Sequence, residues 1–166
     1  MLEREAAVLN DPRNAEAWYS LGIKQQANER EGRAIQALQK AVELDPFMLP
    51  AWMELAVSYT NDGNKTEAYA AMAAWIERNP KYTDAVSRWK QRQGRSSPLL
   101  AVEGLIDCLV TMARSIPDGE LDADVQIALG VLLNTTEVRV QQCKQIMTEA
   151  WSNRSTTRPG TAFWLL

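Results

Sequence analysis

The chain has 166 residues, of which 46% are apolar and 23% charged, and its net charge is −3. These proportions are ordinary for a soluble globular protein, and the negative balance excludes a general phosphate- or nucleic-acid-binding surface, which needs clustered Lys and Arg. There is no histidine, so the commonest general base and the commonest transition-metal ligand are both missing.

Cys108 and Cys143 are far apart and in no metal-ligand spacing. Free, buried thiols in a reducing compartment are the expectation for both. No run approaches the 18 apolar residues that a membrane span needs, and MLEREAAVLN has no apolar core of signal-peptide type. A cytosolic protein is expected, with no cofactor and no metal. No nucleophile is paired with a base, so no enzyme is expected. The close acids Glu29/Glu31 and Asp122/Asp124 read as solvated turn and cap positions.

In chain order, residues 1–12 resemble the tail of a second helix whose own first helix is lacking. An internal repeat then emerges. Trp18 and Trp52 are 34 apart, as are Leu21 and Leu55, Ala34 and Ala68, and Pro46 and Pro80. Asp11-Pro12 likewise matches Asp45-Pro46, and Ala7-Val8 matches Ala41-Val42. The interval and residue types resemble the tetratricopeptide repeat, a helix–turn–helix unit of about 34 residues that must stack on its neighbours to bury its apolar face.

Trp18, Leu21 and Gly22 mark a first helix, with Gly22 as the small residue where helices approach. Ala34, Leu38 and Ala41 mark a second helix, which Pro46 ends. In the next unit Trp52, Leu55, Ala56 and Tyr59 form the apolar stripe, and the run Asn61–Asn64 signals a turn. Ala68 and Met72 continue the second helix, Trp75 replaces the small Ala41, and Asn79-Pro80 closes it. Two full units are therefore expected over 13–80.

An atypical, hinge-like segment is expected over 81–121. It comprises a helix beginning at Thr83–Lys90, a loop at Gly94–Pro98, an apolar helix over Leu99–Ile116 and a stop at Pro117-Asp118-Gly119. Repeat phase returns in 122–137 as the first helix of a further unit, with Asp122 as its cap and Leu129-Gly130 matching Leu21-Gly22. Beyond it, Ile146 alone fits the second-helix pattern. Residues 138–166 carry four basic side chains and one acid, against fourteen and twenty before them. A terminal cap with a short helix over Val138–Trp151 is one reading. The composition favours a non-repeat, partly disordered tail joined at Glu137. The expected fold is thus all-α: helical hairpins stacked as a short right-handed solenoid with an irregular C-terminal tail.

First helices line the concave side of such an array. The concave set is then Glu16, Tyr19, Ile23, Gln26 and Ala27, followed by Pro50, Met53, Val57, Thr60 and Asn61, and later Val131, Asn134 and Thr135. It contains no Lys or Arg, which disfavours a charge-based carboxylate clamp. An Asn amide donates and accepts at once, so it can pair with both backbone groups of an extended peptide. Asn61 could instead simply end its helix.

Two stretches, LGIKQQANEREGRAIQALQKAVELDP (Leu21–Pro46) and LPAWMELAVSYTN (Leu49–Asn61), resemble the repeat domain of the peroxisomal import receptor that reads C-terminal Ser-Lys-Leu-type signals. DADVQIALGVLLNTTE (Asp122–Glu137) is similar to its fifth repeat, and the irregular segment to its distorted fourth. The resemblance covers roughly residues 1–137. AVSYTN (Ala56–Asn61) is its more specific element. The resemblance implies peptide contacts from Val57, Thr60 and Asn61, with Asn134 as a further contact.

It further implies that the partners are signal peptides of peroxisomal matrix proteins, with membrane docking proteins engaged through regions this chain lacks. The implied location is the cytoplasm, with cycling to the peroxisome. In that family two sets of repeats close on the signal, so this chain resembles one jaw, weak or inactive alone. Self-association through exposed repeat edges is also expected. The alternative is a general repeat scaffold for protein–protein interaction.

Overall fold

The structure, a computed structural model, describes residues 2–93, 101–115 and 122–135. These form α1 (Leu2–Asn10), α2 (Ala15–Gln26), α3 (Glu31–Leu44), α4 (Leu49–Asn61), α5 (Lys65–Arg78), a single 3₁₀ turn (Pro80–Tyr82), α6 (Thr83–Gln93), α7 (Val102–Arg114) and α8 (Ala123–Thr135). The expected loop at Gly94–Pro98, the stop at Pro117–Gly119, and everything expected for 138–166, Cys143 included, lie outside the described residues.

Helices α2 and α3 form one antiparallel hairpin and α4 and α5 a second, with α3 packed on α4 and α1 on α2. The 34-residue interval is visible as repeated chemistry. The Trp18 indole N–H donates to the Pro12 carbonyl at 2.9 Å, and that of Trp52 donates to the Pro46 carbonyl at 2.9 Å. The Asp11 side chain accepts from the Arg13 amide, that of Asp45 from Phe47 and that of Asn79 from Lys81. Each of these three turns stops a helix with an Asx–Pro pair. The ring blocks continuation while the side-chain oxygen takes an amide the helix can no longer serve.

The turns inside the hairpins also match. Glu29 (φ 57°) and Gly63 (φ 78°) occupy equivalent places with left-handed backbone. Gly63 does so without steric cost, whereas Glu29 does so with a Cβ. Asn64 then caps α5 by accepting from the Glu67 amide, as Asn14 caps α2 by accepting from Ala17.

The packing within the two hairpins is complementary in detail. A Cβ on Gly22 would lie 2.6 Å from Leu38 Cγ but 3.5 Å from the nearest backbone atom, the Ala34 carbonyl oxygen, so a side chain there collides with Leu38 and not with the α3 backbone. In the second hairpin Gly22 is replaced by Ala56 and Leu38 by Met72, and all but Gly22 of these four are fully buried apolar side chains. An added methyl on the first helix is matched by an unbranched, adaptable side chain on the second.

Beyond α5 the regular order breaks. The place of Trp18 and Trp52 falls at Val86, and α6 instead buries Trp89, whose indole N–H donates to Asp107 in α7 at 2.6 Å. Helix α7 starts at Val102, later than the expected Leu99, because Ala101 is extended (φ −95°, ψ 139°). Helix α8 packs against α4, α5 and α7. It therefore stands beside α4 as α4 stands beside α2, while α6 packs on α5 and α7. One continuous core runs from Ile35 to Leu132, with Trp75 buried in it.

Replacing Gly22 by Ala should cost about 1–3 kcal/mol through overpacking against Leu38. The double variant Gly22→Ala/Leu38→Met, which copies the second hairpin, should recover most of that loss in urea denaturation. Equal instability of the single and double variants would contradict the packing described.

Candidate functional site

Val57, Thr60 and Asn61 lie on the C-terminal half of α4. Val57 and Thr60 are half-buried and Asn61 is exposed. Of the stripe behind them, Leu55, Ala56 and Tyr59 are buried as expected, and Trp52 is half-buried against the same core. The Thr60 hydroxyl donates to the Ala56 carbonyl at 2.8 Å, which leaves its oxygen lone pairs as acceptors. Asn61 is the last residue of α4, with Asp62 as the cap. It is not only a helix end: its amide donates to Glu31 Oε1 at 3.0 Å.

Glu31, read from the sequence as a solvated turn acid, is the residue whose contact with the site the sequence did not show. It opens α3, and its Oε2 is buried with no hydrogen-bond partner. The expectation of a solvated turn acid is therefore corrected here. No periodic signal could have found it, because it meets Asn61 across the hairpin interface, 30 residues away.

The structure divides the expected concave set. Met53 is buried in the core, not on the lining. Gln26 donates to the Glu54 carbonyl at 3.1 Å and to the buried Ser58 hydroxyl at 2.8 Å, so it stitches α2 to α4. Thr135 is buried and accepts from the Tyr69 hydroxyl at 3.2 Å while donating to the Leu132 carbonyl. Asn134 lies near the C-terminal end of α8, the helix seated beside α4. The structure thus brings together the two helices that carry the expected site residues.

The electrostatics of this wall are mildly acidic. The Tyr19 hydroxyl is pushed up by burial and, further, by Glu54 and Glu16. Cys108 is free and buried; burial, helped by Asp107, pushes its thiol up to about 12, which leaves it inert as a nucleophile.

Asp122 holds the start of α8. Its Oδ1 accepts from the Asp124 amide at 2.9 Å, the cap expected from the sequence, and Oδ2 accepts from both Lys81 and Tyr82. The side chain is only 10% exposed, so it is not a solvated acid. Burial would raise its pKa, but the bonds from Lys81, Tyr82 and the Asp124 amide outweigh burial and hold it down at about 2.

An array of helical hairpins with a 34-residue phase, stacked through a shared core, is a tetratricopeptide-repeat solenoid. The family model for the tetratricopeptide repeat matches residues 15–47, the first hairpin. Curated relatives narrow the class. The chain is 44% identical over 141 residues to the PEX5-related protein of Rattus norvegicus, covering 81% of this chain and 23% of the relative. It is 42% identical over 137 residues to the peroxisomal targeting signal receptor of Komagataella phaffii, covering 80% of this chain and 23% of that protein. The receptor of Yarrowia lipolytica is 38% identical over 135 residues, with the same coverage of both chains. These proteins are homologues of the chain, which spans about 23% of their length and so matches one region of them. No described helix is long and apolar enough to cross a membrane.

The Asp122 carboxyl falls from 3.8 to about 2 on folding. Its contribution is therefore complete above the unfolded value and is lost as pH falls from about 4 towards 2. The magnitude is on the order of 1–2 kcal/mol once the exposed Lys81 partner is discounted. Asp122→Asn should lower stability by that amount at pH 7, and the gap to the parent chain should close by pH 2. A gap that does not change with pH in denaturant titrations would contradict the assignment.

Proposed function

We propose that the chain is one arm of a receptor's repeat region, which holds the C-terminal Ser-Lys-Leu-type signal of peroxisomal matrix proteins. The observation that carries this is that α2, α4 and α8 stand side by side, with α4 in contact with both of the others. Val57, Thr60 and Asn61 stand on α4, and the helix bearing Asn134 is seated beside it. Val57 offers a small apolar contact and Thr60 an acceptor. The amides of Asn61 and Asn134 pair with the backbone of an extended peptide. The Glu31 carboxylate, which accepts from the Asn61 amide through Oε1, sets the orientation of that amide and adds negative charge beside it.

The names of the relatives support the peroxisomal setting. On this reading the arm works in the cytoplasm and cycles to the peroxisome with the intact receptor, whose other regions engage membrane docking proteins. It binds and does no chemistry. Leu9 and Phe47, 79% and 75% exposed, are apolar edges through which isolated chains self-associate. A general interaction scaffold is the competing reading.

A stretch spanning 23% of its relatives supplies part of the binding energy. If the rest supplies about 4 kcal/mol, the affinity of this chain alone falls about a thousandfold. In fluorescence anisotropy, an SKL-ended peptide should show no saturable micromolar binding to this chain. At millimolar peptide, nuclear magnetic resonance should show shifts at Val57, Thr60 and Asn61 that a carboxamide-ended peptide does not produce. Asn61→Ala and Glu31→Gln should weaken these shifts. Equal shifts with both peptides would favour the general scaffold, and micromolar binding lost in Asn61→Ala would overturn the weak-arm prediction.

A further inference from the structure

Helix α8 is tied to the second hairpin at both ends by tyrosine hydroxyls. At its C-terminal end, the Tyr69 hydroxyl on α5 donates to Thr135 at 3.2 Å, and the Thr135 hydroxyl donates in turn to the Leu132 carbonyl at 2.7 Å. At its N-terminal end, the Tyr82 hydroxyl, in the turn after α5, donates to Asp122, which also receives Lys81 and caps α8. The contacts join residues 66 and 40 positions apart in sequence. Thr135 and Tyr82 are buried (5% and 2% exposed) and their partners half-buried, so these bonds are partly shielded from competing water.

Neither tyrosine belongs to ordinary repeat packing. The position equivalent to Tyr69 in the first hairpin is Ile35, and that equivalent to Tyr82 is Met48. Both are apolar. The acceptors are special too. Asp122 stands in the register of the N-cap Asn14, but its second carboxylate oxygen is free to receive Tyr82 and Lys81 while the first caps the helix. Thr135 stands in the register of Ala27 and Asn61.

Hydroxyls thus occur where a helix that is not next in chain order must be seated. Helix α8 is separated from α5 by α6 and α7, so the short turn that sets α3 against α4 has no counterpart here. Apolar contact is non-directional and fixes the slide and rotation of a helix on its neighbour less sharply than a directional bond does. Two directional bonds, one at each end, fix both translation and rotation.

We propose that Tyr69 and Tyr82 are positioning residues, whose hydroxyls set the spacing and rotation of α8 against the α4–α5 hairpin and so place the two peptide-facing helices relative to each other. The term peptide-facing rests on the receptor reading; the positioning itself does not.

The test separates the two. Spin labels on Thr66 at the start of α5 and on Gln126 of α8, both exposed, report the α5–α8 distance by electron–electron double resonance. Cys143→Ser is included, and Cys108 is too buried to label. The parent chain should give one narrow distance. Tyr69→Phe/Tyr82→Phe should broaden the distribution and displace its maximum, while circular dichroism shows helix content retained. Thr135→Val should act like Tyr69→Phe, and Thr135→Ser, which keeps the hydroxyl, should restore the parent distribution. If the double variant unfolds, the Thr135→Val and Thr135→Ser pair carries the same decision alone. An unchanged distribution in folded Phe variants, or equal effects of Val and Ser at 135, would overturn the positioning role. Titration of the parent chain with SKL-ended peptide tests the receptor reading independently. If the parent chain responds to that peptide and the Phe variants lose the response with helix content intact, the positioning serves binding. Retained response despite a displaced α8 would refute that link.

Discussion

Each helical hairpin of this chain has an apolar face that it cannot cover by itself. The α2–α3 pair meets in close contact at Gly22, but the far side of α3 is buried only by α4, and α5 in turn needs later helices to cover its own outer side. This dependence on the next neighbour fixes nearly everything else. It requires a constant phase, which the Trp indole bonds and Asx–Pro turns supply. It also requires that some helix cover α4 and α5 once the phase fails, and α8 does so.

The break after α5 shows how local chemistry decides the topology. Without a tryptophan at position 86, α6 lacks the anchor that seats α2 and α4 at their starts. It turns its own Trp89 towards α7 instead. Helix α8 retains the Leu-Gly pair and an N-cap, so it has the features of a first helix and takes the place beside α4. The consequence for function is direct. Helices α2, α4 and α8 thereby stand side by side, with Val57 and Thr60 of α4 half-buried and Asn61 exposed. An extended peptide held through its backbone is the ligand that the proposed reading places along them.

The 34-residue interval, the helix ends at Asx–Pro, the buried stripe Leu55/Ala56/Tyr59 and the cap at Asp122 were all legible in the sequence, because each depends on residues close in the chain or in strict phase. The relations that seat α8 were not. Tyr69–Thr135, Tyr82–Asp122 and Asn61–Glu31 join residues 66, 40 and 30 positions apart with no period behind them. Met53 was misplaced for a related reason. A helical wheel gives its angle on α4, but only the path of the neighbouring helices decides that this angle is buried. The contact of Glu31 was missed because an acid at a helix start has an adequate local explanation in the helix dipole. The buried, unpartnered oxygen shows only in three dimensions.

The claim on which the rest depends is that α8 lies directly beside α4. Methyl-to-methyl nuclear Overhauser spectra of the whole chain test it most directly. Cross-peaks between α8 methyls such as those of Ala128, Val131 and Leu132 and side chains of α4 and α5 are predicted. Spectra in which α4 shows its contacts to α6, and none to α8, would contradict the account.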